Sequence, residues 1–184
     1  MAGSAGGRAL KVPPKGTRPT SERVREAIFS RLDHYDVIED TLVLDLFAGS
    51  GALGLEAASR GAREVVLVEA NKAAANICQA NVDALRLPGV RVVTEKAENF
   101  VARPTARTWD LVFLDPPYDF GEQALSDLLA GLVAHVDERA VIVVERSSRS
   151  PKPTCPAAWR LITEKNYGET VVYYFEPELD VPYE

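Results

Sequence analysis

Cysteine is nearly missing from this chain: Cys78 and Cys155 are the only two in 184 residues. Two isolated thiols give neither a disulfide framework nor a metal-ligand spacing, and they fit free thiols in a reducing compartment. Long apolar runs are also missing, since none approaches the roughly 20 residues of a membrane span. The opening segment Met1–Leu10 is rich in Gly and Ala without an apolar core, which excludes a signal peptide. Cationic charge is in deficit, with 21 Lys and Arg against 27 Asp and Glu, a net charge of −6 and a pI near 5.1. These absences lead us to expect a soluble cytoplasmic protein, with no metal and no membrane partner.

What is present is an ordinary globular composition, 46% hydrophobic and 26% charged. A chain this long buries roughly 70% of the surface its unfolded form exposes, enough for one core without staples. Wholesale disorder is excluded by the same numbers. An acidic total would argue against a nucleic-acid partner if the charge were evenly spread, and it is not. Residues 1–32 carry Arg8, Lys11, Lys15, Arg18, Arg23, Arg25 and Arg31 against only Glu22 and Glu26, so this segment is +5 and the remainder −11. Such asymmetry suits a basic arm on phosphates, although charge alone leaves a solvated tail equally open.

Pro13, Pro14, Gly16 and Pro19 keep that arm extended or turned. Thr20 or Ser21 then caps a helix predicted over Glu22–His34, with Val24, Ala27, Ile28 and Leu32 as its apolar stripe. From Leu42 onward, buried-type strands at Leu42–Phe47, Glu64–Glu69, Val90–Thr94, Leu111–Leu114 and Val141–Glu145 alternate with helices at Leu53–Ser59, Ala73–Leu85 and Gln123–His135. This cadence predicts a mostly parallel sheet with helices on both faces. Arg160–Lys165 and Thr170–Phe175, separated by the turn-rich Asn166–Glu169, read as a closing antiparallel hairpin. Trp109 and Trp159 read as packing residues, and His34 and His135 as surface residues at helix ends.

Three motifs carry chemistry. Asp45-Leu-Phe-Ala48-Gly49-Ser50-Gly51 follows the first strand, and its glycines allow a tight turn and close approach of a ligand to the next helix. Glu69 ends the second strand, where a carboxylate can accept from both hydroxyls of a nucleoside ribose. NAD and S-adenosylmethionine both present such a ribose. Asp45 favours the second, because an anion there attracts an ammonium and a sulfonium and repels a pyrophosphate. Asp115-Pro116-Pro117-Tyr118 follows the fourth strand. The prolines stiffen the backbone, so Asp115 and the Pro116 carbonyl offer two fixed acceptors and Tyr118 a flat face. This set suits a planar group bearing an exocyclic amine.

These motifs resemble those of class I S-adenosylmethionine-dependent amino-methyltransferases, with a Rossmann-like seven-stranded sheet. More narrowly, Thr17-Arg-Pro-Thr20-Ser-Glu-Arg23-Val-Arg25, Asp45–Ala57 and Asp115–Tyr118 resemble the bacterial family that methylates guanine N2 in 16S ribosomal RNA. The resemblance runs from about Gly6 to Phe175. Members of that family usually open with a short apolar strand, and this chain departs from them by opening Met1-Ala-Gly-Ser-Ala-Gly-Gly-Arg8. By position, the resemblance gives Asp45, Ala48, Gly49, Ser50 and Gly51 to the methionine part of S-adenosylmethionine, Glu69 to its ribose and Ala97 to its adenine. It gives catalysis to Asp115, Pro116, Pro117 and Tyr118. Arg8, Lys11, Lys15, Arg18, Arg23 and Arg25 become RNA contacts. It further implies residues 1–34 as an RNA-binding extension, 35–184 as the methyltransferase body, and a monomer acting on 16S rRNA in an assembled or late-assembling small subunit. The tetrapeptide also suits a DNA adenine-N6 or a protein glutamine methyltransferase. The first would normally carry a sequence-reading domain, and the second has no need of a basic arm. A non-catalytic nucleotide-binding module has no use for Asp115 and Tyr118 together.

Overall fold

The computed structural model describes residues 2–11 and 21–179. Seven strands form one sheet: β1 (Leu42–Asp45), β2 (Glu64–Glu69), β3 (Val90–Thr94), β4 (Trp109–Leu114), β5 (Val136–Ser147), β6 (Trp159–Tyr167) and β7 (Thr170–Pro177). Their spatial order is β3-β2-β1-β4-β5-β7-β6. The first five are parallel, while β7 runs antiparallel to both β5 and β6. The expected architecture is therefore present, with one addition. After β5 the chain passes outward to the edge strand β6, then turns at Gly168-Glu169 and returns as β7 between them. Gly168 takes a positive φ of 66°, which a two-residue hairpin link favours.

The helices are α1 (Glu22–Tyr35), α2 (Ala52–Ser59), α3 (Lys72–Leu85), α4 (Ala97–Ala102) and α5 (Glu122–Leu132). Successive strand residues point to opposite faces, so the sheet separates two cores. On one face Val43, Leu67, Phe113, Val143 and Tyr174 meet Ile28, Phe29 and Leu32 of α1, Leu55 of α2, and Cys78 and Val82 of α3. On the other, Leu44, Val66, Val112, Ile142 and Tyr173 meet Val101 of α4 and Leu125, Leu128 and Leu129 of α5. Ser21 caps α1 as expected, its hydroxyl accepting from Val24 N–H at 3.2 Å. Phe29 lies against Phe113 with ring centroids 5.7 Å apart, so the helix after the arm is packed into the same core as the sheet.

Several bounds shift by one or two residues, β1 ending at Asp45 and β4 beginning at Trp109 among them, and three differences from expectation are larger. Strand β5 begins at Val136 rather than Val141, because pairing with Trp109 carries it through the polar Asp137-Glu138-Arg139. Helix α4 forms between β3 and β4, in addition to the expected helices. The last helix ends at Leu132 and is followed by a 3-10 turn, Val133–His135. Trp109 and Trp159 are both buried, as packing residues should be. No helix among the described residues is long and apolar enough to cross a membrane.

Candidate active site

The carboxyl ends of the parallel strands gather the acidic residues. Asp45 lies opposite Leu67 and Phe113 in register, so Glu69 and Asp115 each stand two residues further along their own strands. Glu145 ends the apolar run of β5, one residue past the Leu114–Val144 pair. Asp45 is 1% exposed. Its Oδ2 accepts from Gly54 N–H at 3.3 Å, and Oδ1 has no hydrogen bond among the described residues. Burial pushes its pKa up to about 7, outweighing the amides of Gly54 and Phe47; Glu69 and Glu145 add to the rise. A buried anion facing further anions is a site prepared for a cation.

The glycine loop is held from both sides. Ala48 N–H donates to the Val68 carbonyl at 2.9 Å, and Gly49 N–H donates to Glu69 Oε1 at 2.9 Å. Gly51 turns the chain into α2 with φ of 91°, a left-handed conformation that glycine adopts without strain. A Cβ on Gly54 would stand 2.1 Å from Leu67 Cδ2, so glycine there lets α2 lie close on β2. Cys78 lies beneath the loop, and burial together with Asp45 and Glu69 pushes its thiol pKa up to about 12, leaving it a packing group. The other oxygen of Glu69 accepts from Asn71 N–H at 2.7 Å. Glu69 thus orders the loop and the start of α3, and a carboxylate still has lone pairs for two hydroxyls.

The tetrapeptide after β4 is braced rather than loose. Pro116 is buried, Pro117 is exposed, and Tyr118 is 70% exposed, an unusual place for so large a ring. Pro117 accepts from Phe120 N–H at 2.9 Å, closing a turn. Phe120 packs edge-on against Phe47 of the glycine loop at 5.2 Å, which ties the two loops together. Behind them Arg146, itself 4% exposed, donates to the Phe120 carbonyl at 3.1 Å and to Glu122 at 2.7 Å. Tyr118 also lines an open cavity of about 260 Å³ with Ser147, Arg149 and Glu169. An acceptor-bearing turn, an exposed ring and an acid-lined loop share one edge.

The family model described as Conserved hypothetical protein 95 matches residues 1–176. Ribosomal RNA small subunit methyltransferase D of Escherichia coli is 38% identical over 173 residues, covering 94% of this chain and 86% of the relative. A solved Escherichia coli structure described as a methyltransferase superposes with a TM-score of 0.85 at 38% identity, covering 97% of this chain and 96% of the other. The chain belongs to this family. A more distant methyltransferase structure, complexed with S-adenosylhomocysteine, shares the fold at a TM-score of 0.68 and 15% identity. The residues present suit the methyl donor of this S-adenosylmethionine-dependent family. Among the described residues buried Asp45 Oδ1 has no partner, which a cation would supply, and the Gly51 N-cap of α2 carries no side-chain hydrogen bond. Ala97 is buried at the first position of α4, beside the backbone that links Glu95 to Glu69.

In this methyltransferase the arm residues are placed unequally. Arg8 is exposed and donates to the carbonyls of Ala84 and Leu85 at 3.3 Å, at the end of α3. Lys11 and Arg23 are exposed. Arg25 is turned inward, its side chain 14% exposed and 3.8 Å from both Glu22 and buried Glu56. Lys15 and Arg18 lie outside the described residues. Two site components escaped the reading of the sequence. Glu145 reads from sequence only as the end of a buried strand, although an acid closing a run of valines at a carboxyl edge is itself a signal. Asn81 is a lone amide on the apolar face of α3, among Ala74, Cys78, Val82 and Leu85.

Proposed function

We propose that this enzyme transfers a methyl group from S-adenosylmethionine to the exocyclic N2 amine of a guanine in 16S ribosomal RNA. It acts in the cytoplasm as a monomer, on an assembled or late-assembling small subunit. One observation carries the reading: Asp115-Pro116-Pro117-Tyr118 is braced against the glycine loop at the edge where Asp45 and Glu69 are gathered, in a chain 38% identical to a named rRNA methyltransferase.

When bound, the donor supplies an electrophilic methyl on a cationic sulfur. Asp45 and the loop from Ala48 to Gly51 hold its methionine part, Glu69 its ribose hydroxyls, and the Ala97 amide its adenine. The N2 lone pair of guanine is delocalised into the ring and is a poor nucleophile. Asp115 and the Pro116 carbonyl accept its two N–H bonds and turn the lone pair towards the methyl. Preorganised polar groups of this kind contribute about 10²–10³ in rate. Tyr118 stacks the base, worth about 1–3 kcal/mol, and the base must be unpaired or flipped out to reach it. As the N–C bond forms the C–S bond breaks, S-adenosylhomocysteine leaves, and the proton released from N2 passes to Asp115 or water.

RNA is held by the extension, residues 1–34, ahead of the catalytic body, 35–184. Arg8, Lys11, Lys15, Arg18 and Arg23 supply phosphate contacts. Arg25, bound to Glu56, contributes by fixing the helix that follows the arm. Labelled methyl donor, offered with small ribosomal subunits, genomic DNA and a cell protein extract, tests the reading. We expect label in 16S rRNA as N2-methylguanosine; label in adenine or in protein would overturn it.

A further inference from the structure

Asn81 is 3% exposed and uses its whole side chain. Its Oδ1 accepts from Lys11 N–H at 2.9 Å, and its Nδ2 donates to the Lys11 carbonyl at 3.0 Å and to the Ser50 carbonyl at 2.8 Å. Two of these bonds hold the backbone of the basic arm, and the third holds the glycine loop. Lys11 is the last described residue before the segment that carries Lys15 and Arg18, and Ser50 immediately precedes the left-handed turn at Gly51. A buried amide whose bonds are all satisfied resists displacement, since each bond lost strands a polar group away from water. Movement of the arm at Lys11 therefore reaches Ser50 through one rigid group, and through Ser50 the Gly49 amide that Glu69 holds.

We propose that Asn81 is a positioning residue that couples RNA engagement by the arm to methyl-donor binding by the glycine loop, so that each ligand tightens the other. The inference rests on the functional reading above, in which the arm meets RNA and the loop meets the donor. Linkage requires the effect to be reciprocal: RNA strengthens donor binding by the factor by which the donor strengthens RNA binding. A purely structural Asn81 would affect folding stability and leave that factor unchanged.

The test compares the affinity of the full chain for S-adenosylhomocysteine with and without a saturating 16S rRNA transcript. We expect the wild type to show coupling of about five-fold or more, within the usual range for linked sites. Asn81→Asp keeps the shape and the acceptor for Lys11 N–H but removes the donor to the Lys11 and Ser50 carbonyls, and Asn81→Ala removes all three bonds; in each the coupling factor should fall towards one. Retention of the wild-type factor in either variant, or its absence from the wild type, would overturn the proposal. Hydrogen exchange on the unaltered chain gives an independent readout: S-adenosylhomocysteine should slow exchange at the Lys11 amide several-fold, and an unchanged rate there would contradict the link. A wild type that does not bind S-adenosylhomocysteine at all would overturn the functional reading itself.

Discussion

The two ends of the parallel strands carry similar residue types and use them in opposite ways. At the amino end, Glu64 pairs with Arg107, Asp40 lies 4.0 Å from Arg63, and the Asp110 carboxylate accepts from Leu42 N–H at 2.8 Å. The two ion pairs are exposed, so water and salt screen them and each is worth about 0–1 kcal/mol. At the carboxyl end, Asp45 and Glu145 are buried, and Asp45 is pushed up to about 7 by burial and by its acidic neighbours. An arrangement that costs stability in the absence of a ligand is explained by a ligand that relieves it. The difference lies in burial and pairing rather than in composition.

The largest break of this comparison is Asp115→Ala. It should lower the rate of methyl transfer at least 10²–10³-fold while donor affinity stays within a few-fold, because Asp115 acts on the accepting amine. Single-turnover kinetics beside calorimetry separates the two quantities. Glu69→Ala comes next, with donor binding weakened by roughly 1–3 kcal/mol as two hydroxyl contacts and the anchor of Gly49 are lost. Unchanged affinity by calorimetry would remove Glu69 from the site.

The arm provides a contrast of its own. Replacing Arg8, Lys11, Lys15 and Arg18 by alanine should weaken RNA binding and spare donor affinity. At about 0.7 per phosphate contact on single-stranded RNA, the log–log salt slope should flatten by about two to three. A slope equal to that of the wild type would make the arm a solvated tail.

A smaller effect tests the acidic edge through pH. The folded-state pKa of Asp45 is raised to about 7 from its ordinary 3.8, so the ligand-free fold favours the protonated form. Its stability should therefore fall as pH rises from about 4 through about 7, because the unfolded chain releases this proton first. Bound cationic donor reverses the preference, so donor affinity should rise over pH 6 to 8 with release of a proton. Asp45→Asn should flatten both profiles, as followed by thermal unfolding and calorimetry in buffers of different ionisation enthalpy. The smallest effect belongs to the amino end: Arg107→Ala should change stability by about 0–1 kcal/mol and leave methyl transfer unaltered.

Much of this molecule was legible before its structure. The alternation of valine-rich runs with helical stripes placed β2 to the residue, because a buried parallel strand is apolar on both faces. Strand β3 has the expected bounds, but as the edge strand it has no buried residue, contrary to its expected buried character. The glycine loop, Glu69 and the tetrapeptide after β4 were legible because backbone conformation and ligand chemistry restrict those positions to few residue types. Other features depend on partners distant in sequence. The pairing of Val136 with Trp109 extends β5 through a polar segment, and no local pattern shows it. Six-residue α4 is too short for helical periodicity to register. The inward turn of Arg25 follows from Glu56, thirty-one positions away and itself a charge on a buried helix face. Asn81 illustrates the same limit, since its partners Lys11 and Ser50 meet only in the fold.

Methylation of guanine N2 at the acid-lined carboxyl edge can be read out by nucleoside mass spectrometry of 16S rRNA. The RNA would come from a strain lacking the gene and carrying either the wild-type chain or Asp115→Ala. N2-methylguanosine is expected at one position with the wild type and is expected to be absent from that position with the variant. Equal modification by both chains, or a methyl group on adenine, would contradict it.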